Sequence, residues 1–295
     1  MNDRPKADVA NLFAEHRRFL IATAALVAAF SWQLFLLAKF SLESPLFSHA
    51  LLVPVISGYL VWQMRATLPA PSPADPRLAI APFMAGGACL VVWLTASTDL
   101  EDRLAYSILA FVFFFGGVCA LCLGRLTMRA IVFPLGFLLL MAPFPTALTE
   151  WIESVLQDWS AVSAYAFFTV AGTPVFRHET FLQLPGMKLM VAPECSGVHS
   201  TLALFITSLL AGHLFLKSPW RRTVLALVVF PVAIFRNGLR IFVVGELCVR
   251  VGPEMIDSYI HRKGGPIFFA ISLIPFCLAL WFLIKSEQRK THAPS

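Results

Sequence analysis

Long apolar blocks separated by short polar turns leave this chain few ways to fold. They run over 19–38, 47–64, 78–96, 104–123, 130–146, 198–216, 223–247 and 266–284. About 20 predominantly apolar residues are needed to cross the ~30 Å hydrocarbon core of a bilayer. No water in that core can satisfy a bare backbone, so each block must close its own hydrogen bonds as a helix. The expected fold is therefore all-α: a polytopic integral membrane protein of about eight transmembrane helices. Composition agrees, with 58% hydrophobic and 14% charged residues against roughly 25% charged in a soluble domain. No long linker, low-complexity run or internal repeat interrupts the sequence. Residues 1–295 read as a single transmembrane domain.

Basic residues set the orientation, because Lys and Arg are retained in cytoplasmic loops. The tail 1–18 carries Arg4, Lys6, Arg17 and Arg18 and is placed in the cytoplasm. Counting crossings from there puts Arg65 with Arg77, and Arg125 with Arg129, on the inside. The acidic loop Asp99, Glu101 and Asp102 falls outside. Lys217, Arg221 and Arg222 fall inside only if the stretch 147–171 does not cross. Its Glu150, Glu153 and Asp158 suit that demand, since carboxylates at the bilayer centre are expensive. We read it as an amphipathic helix at the outer interface or dipping partly in. Eight spans then leave both termini inside. A ninth span would put one basic cluster on the wrong side. The net charge of +6 thus belongs to topology, and no nucleic-acid partner is expected.

Five of the six cysteines, Cys89, Cys119, Cys122, Cys248 and Cys277, lie in or beside apolar blocks. The C-x-x-C pair at 119 and 122 lacks the polar surroundings of a redox or zinc site and reads as packing. The first apolar block has no short run ending in a small-residue cleavage site, and is read as a retained helix.

Outside the fifth span, residues 173–194 read as two short extended runs around Pro185-Gly186, a hairpin. It delivers the chain to Pro193-Glu194-Cys195-Ser196-Gly197. Ser196 is the expected N-cap of the helix that follows. A cysteine at such an N-terminus has its thiolate favoured by the helix dipole, and unpaired N–H groups there can hold an oxyanion. The plain alternative is a buried cysteine of no chemical consequence.

Arg236-Asn237-Gly238-Leu239-Arg240 interrupts another span. Each intramembrane arginine costs about 2.5–3.5 kcal/mol on insertion scales. The two are four apart and share a helix face. At 1.5 Å per residue, Arg240 stands roughly 26 Å above the inner end, near the outer rim. Asn237 is a hydrogen-bond partner within the motif. The competing reading is a structural pair held by a carboxylate such as Glu246 or by outer headgroups. His261, in the outer loop before the last span, is a proton carrier suited to neutral pH. His199, one turn after Cys195, is a rival base.

Glu194-Cys195-Ser196-Gly197, then Asn237-x-x-Arg240-Ile241, then His261 with Gly264-Gly265, resemble in order the exosortase/archaeosortase family of membrane transpeptidases. The resemblance covers 130–285, read as the catalytic half. It implies Cys195 as nucleophile, His261 as general acid/base, and Arg240 as stabiliser of the oxyanion or orienter of the substrate. Arg236, Asn237, Glu194 and Ser196 support them, and the arginine that meets the reacting centre can be either one. The implied substrates are membrane-anchored proteins with a C-terminal sorting signal: a short motif such as Pro-Glu-Pro, an apolar helix and a basic tail. The implied location is a bacterial inner membrane, with the site on the periplasmic face and a link to exopolysaccharide and surface display. No cofactor or metal is implied, and the chain has no H-E-x-x-H or G-x-S-x-G motif. A hydrolase using the same cysteine would have the same sequence. A transporter or polysaccharide-export component, with Arg236 and Arg240 lining an anionic path, is the non-enzymatic alternative.

Overall fold

A computed structural model describes residues 4–69, 75–95, 99–191, 197–252, 254–255 and 264–291, with side chains described within 17–289 except at 45. Among the described residues the structure is all-α apart from one small sheet, and the chain forms two compact units, Met1–Leu148 and Thr149–Ser295. Among the described residues six helices are long and apolar enough to cross a membrane, and a bent pair makes a seventh. This is the polytopic membrane architecture that the apolar blocks predict.

In the first unit, α1 (Arg4–Ala29) and α2 (Ser31–Glu43) form the bent pair, turning by 64° at residue 30. A 3-10 turn (Pro45–Leu51) leads into α3 (Leu52–Met64), and α4 (Pro76–Thr95) and α5 (Leu100–Phe137) follow. With its closing 3-10 turn, α5 covers Leu100–Met141, 42 residues. That is about 63 Å of helix at 1.5 Å per residue, twice the hydrocarbon thickness. The excess is resolved at Gly124, whose φ of 70° and ψ of 171° break the helix. A Cβ on Gly116 would lie 3.7 Å from Leu135 Cδ2; a straight helix would hold those residues about 28 Å apart. The arms are therefore antiparallel and correspond to the expected spans 104–123 and 130–146. Close helix approach in lipid needs small residues. Here Phe114 sits over Gly86 of α4, and Phe83 of α4 sits over Gly117. Asp102, in the first turn of α5, accepts the backbone N–H of Thr146 at 2.7 Å and its hydroxyl at 2.5 Å. That carboxylate caps the start of the next helix.

The second unit contains most of α6 (Thr146–Ala171), then β1 (Phe176–His178), β2 (Phe181–Leu184), β3 (Met187–Met190), α7 (Val198–Phe215), α8 (Pro219–Arg250) and α9 (Gly265–Thr291). α6 buries a stripe of Leu156, Ser160, Ala161, Ala164 and Phe168. It leaves Trp151, Trp159 and Tyr165 exposed, amphipathic aromatics of the kind found at a membrane surface. The expected hairpin is present and carries a third strand. β1–β2–β3 is antiparallel, with Leu184 opposite Met187 across the Pro185-Gly186 turn. Gly186 has φ +81°, the left-handed conformation that this turn requires. Leu182, Leu184 and Leu189 point inward onto Ala161, Phe168 and Ile241. Gln157 of α6 donates to the carbonyl of Val191, fixing the strand's exit.

α6 lies directly against α8. A Cβ on Gly238 would overlap Ser163, and one on Gly245 would overlap Phe168. α7, α8 and α9 pack around Leu204, Leu225, Val229, Phe276 and Leu283. At the start of α8, the Glu287 carboxylate of α9 accepts from the backbone N–H of Lys217 (3.0 Å) and Ser218 (2.8 Å) and from Arg221 Nη1 (3.0 Å). α7 ends beside this same point, so α7 and α9 both run antiparallel to α8. Their N-termini, Gly197 and Gly265, thus lie toward the C-terminal end of α8.

Candidate functional site

The site is built where α7 begins. Its N-cap is Gly197, with φ 75° and ψ 18°, one residue later than the Ser196 expected from the sequence. The correction has a steric reason. A left-handed residue ends the incoming loop, and only glycine takes that conformation without strain. A Cβ at 197 would also stand 2.8 Å from Arg236 Nη2 and 3.2 Å from Asn237 Oδ1, so both side chains would have to give way.

The Gly197 carbonyl is the hub of this junction. It accepts the backbone N–H of Thr201 at 2.9 Å, and the hydroxyls of Ser200 at 3.1 Å and Thr201 at 2.8 Å. It also accepts Arg236 Nη2 at 3.3 Å. The same Nη2 lies 3.5 Å from Thr201 Oγ1. Asn237 Nδ2 donates to Ser160 Oγ of α6 at 3.0 Å. Arg236 and Asn237 are buried, at 3% and 2% exposure. Three helices are thus tied by polar contacts inside a membrane-embedded bundle, where each unsatisfied group is costly. Arg236 Nη1 has no hydrogen-bond partner among the described residues. The helix that supplies this pair is long enough to bring it here: Arg236 lies about 21 Å along α8 from Arg222.

Of the residues the sequence singles out, the structure brings Arg236 and Asn237 to the α7 N-terminus. Arg240 is half-buried one turn further along α8. Cys195, His261, Glu194 and Ser196 lie outside the described residues. Chain connectivity still limits one of them. Two peptide units separate Cys195 from Gly197, at most about 7 Å. His261 precedes the α9 N-terminus, where the Gly264 carbonyl accepts Ile267 at 3.0 Å and Phe268 at 3.1 Å. His199, the rival base, is exposed on α7.

Glu246, the carboxylate that a purely structural arginine pair would use, is engaged elsewhere. It accepts Arg250 Nε at 2.6 Å and the Thr173 hydroxyl. Cys119 and Cys248 are buried, Cys89 and Cys122 are half-buried, and Cys277 faces outward, all as free thiols within helices. Sequence reasoning missed Ser160 and Thr201 as partners of the arginine–asparagine pair. Their signal was weak, because Ser and Thr inside helices more often bond their own preceding turn.

The arrangement holds a guanidinium and an amide against the backbone that leads out of Cys195, at a helix N-terminus. This can orient a thiol and present positive charge to a developing anion. The family model for transmembrane exosortases matches residues 32–278. No curated protein and no solved structure matches the chain.

Proposed function

The chain belongs to the transmembrane exosortase family, and on that premise we propose that it is a membrane-embedded cysteine transpeptidase acting at the periplasmic face of a bacterial inner membrane. Its substrates are membrane-anchored proteins ending in a short Pro-Glu-Pro-like motif, an apolar helix and a basic tail. Eight spans keep both termini in the cytoplasm. The substrate's basic tail stays inside too, so its short motif emerges on the outer side.

Cys195 attacks the scissile carbonyl carbon as a thiolate. A C–S bond forms, and the oxyanion is met by Arg240 and by N–H groups at the start of α7. Collapse breaks the C–N bond, and His261 gives a proton to the departing amine, which leaves with the helix and tail. An acceptor amine, or water, then loses a proton to His261 and attacks the thioester. The C–S bond breaks and the thiolate returns.

The contact of Arg236 and Asn237 with Gly197 carries this reading. It ties the arginine-bearing helix to the loop of the nucleophile, and it buries the guanidinium of Arg236, which an anion-conducting path would leave open. Mass spectrometry of the wild-type chain with a co-expressed tailed substrate should detect a thioester adduct at Cys195. Cys195→Ala should abolish both adduct and cleavage; processing that survives in this variant rules the reading out.

A further inference from the structure

The hairpin that leads to Cys195 ends in an edge that no described residue of its own unit pairs with. Antiparallel ladders alternate between pairs that exchange hydrogen bonds and pairs that do not. The Val191 N–H donates to the Thr180 carbonyl at 3.0 Å, which sets the phase for β3. Met187 and Leu189 share that phase and bond inward to β2, opposite Leu184 and Leu182. Lys188 and Met190 therefore direct their N–H and C=O groups away from the sheet. Among the described residues no group pairs with them. Both side chains are exposed, Met190 by 53%.

An open edge with donor and acceptor at two alternating residues is complementary to another extended backbone. A second copy of this chain offers no carboxylate there, because edge-to-edge pairing of two β3 strands sets Lys188 opposite Met190 or the other Lys188. A short segment with a carboxylate opposite Lys188 fits well. The edge also lies close to the proposed nucleophile: five residues, at most about 18 Å of chain, separate Met190 from Cys195. Pro185-Gly186 fixes the register, and Gln157 anchors Val191 to α6, so β3 meets an incoming strand as a preformed template.

We infer that the free edge of β3 docks the protein substrate by strand addition, with the backbone of Lys188 and Met190 pairing an extended segment next to the bond to be cut. The inference rests on the transpeptidase reading for the identity of the occupant.

Proline tests it, because it removes an N–H and is tolerated on a strand edge whose N–H faces outward. The full chain is reconstituted in liposomes with a synthetic peptide carrying the Pro-Glu-Pro motif, an apolar helix and a basic tail. Met190→Pro should raise KM by about two- to tenfold, as expected for losing one backbone hydrogen bond. kcat and the rate of Cys195 alkylation by iodoacetamide should stay near wild type. Arg177→Pro, on the outer edge of β1, should leave KM unchanged. An equal rise in both variants, or in neither, overturns the proposal. Should Met190→Pro disturb folding, peptides N-methylated at single positions decide on the wild-type chain. Weakening at two positions separated by one tolerant residue supports pairing, and a uniform or absent effect overturns it. Peptide binding is read separately by fluorescence anisotropy. An alternating pattern in Kd without any Cys195 adduct would keep the docking edge while removing the transpeptidase.

Discussion

Arg236 Nη2 on α8 donates to the carbonyl of Gly197 at 3.3 Å, two residues after Cys195. The same nitrogen also reaches Thr201 Oγ1, from the end of a side chain longer than that of lysine. Hydrogen bonds from charged donors contribute about 1.5–3 kcal/mol. Arg236→Met should therefore slow thioester formation by about 10- to 150-fold. Arg236→Lys should recover only part of that. The readout separating positioning from general stability is the pH profile of Cys195 alkylation. A nearby cation favours the thiolate, so its removal in Arg236→Met should move the profile to higher pH, and Arg236→Lys should move it less. An unshifted profile in Arg236→Met would show that the guanidinium only packs.

Gly197 disfavours a side chain. Its φ of 75° costs a non-glycine residue about 1–2 kcal/mol, and an added Cβ would meet Arg236 Nη2 at 2.8 Å. Gly197→Ala should lower thermal stability by at least that amount and reduce processing more strongly than stability alone accounts for. Comparing the fraction folded with the single-turnover rate at one temperature checks this. A loss of activity that tracks the unfolded fraction would deny the residue any role in placing the nucleophile.

The helices were legible in the sequence because lipid leaves the backbone no other solution, and the α5 break was legible as the pair Arg125 and Arg129 between two apolar blocks. The Pro185-Gly186 hairpin was equally plain from turn chemistry, but β1 was not. Val175, Phe176 and Arg177 follow Thr173-Pro174 with no alternation long enough to register as a strand. At the site, spacing placed Arg236 and Arg240 on one face, yet it could not say which of them meets the α7 N-terminus. That depends on where the Gly197 backbone turns, and a left-handed φ leaves no mark in sequence beyond the glycine itself. The cap was misplaced by one residue for the same reason. Serine is the commoner side-chain cap, whereas this helix is entered through glycine. The basic cluster at 217–222 was read as a topology signal alone, although Arg221 is 4% exposed and bound to Glu287. A charge count is blind to a partner 66 residues away.

Packing of α6 on α8 depends on two glycines seven residues apart. Gly245 faces Phe168 and Leu184, and Phe168 is fully buried. Gly245→Val should destabilise the chain by about 1–3 kcal/mol through overpacking. Adding Phe168→Leu should return part of that loss, since it shortens the side chain that the new methyl groups strike. Thermal unfolding in one detergent across the four variants gives the coupling. Additive losses would mean that the two positions do not share a contact.

The side of the membrane on which the hairpin stands decides whether any substrate motif can reach it. α6 carries Glu150, Glu153 and Asp158, and at about 2.5–3.5 kcal/mol per carboxylate it is a poor crossing helix. If α6 stays at the outer surface, Pro185 at the exposed hairpin tip faces the periplasm. Arg125, just past the Gly124 break, then faces the cytoplasm. In a background freed of native cysteines, Pro185→Cys should react with a membrane-impermeant maleimide in intact spheroplasts, and Arg125→Cys only after lysis. Reaction of both only after lysis would make α6 a true crossing and turn the Gly197 loop toward the cytosol. The thiol would then sit on the side opposite its proposed substrate, and Lys217, Arg221 and Arg222 would be left on the outer face against the charge rule that orients every other loop.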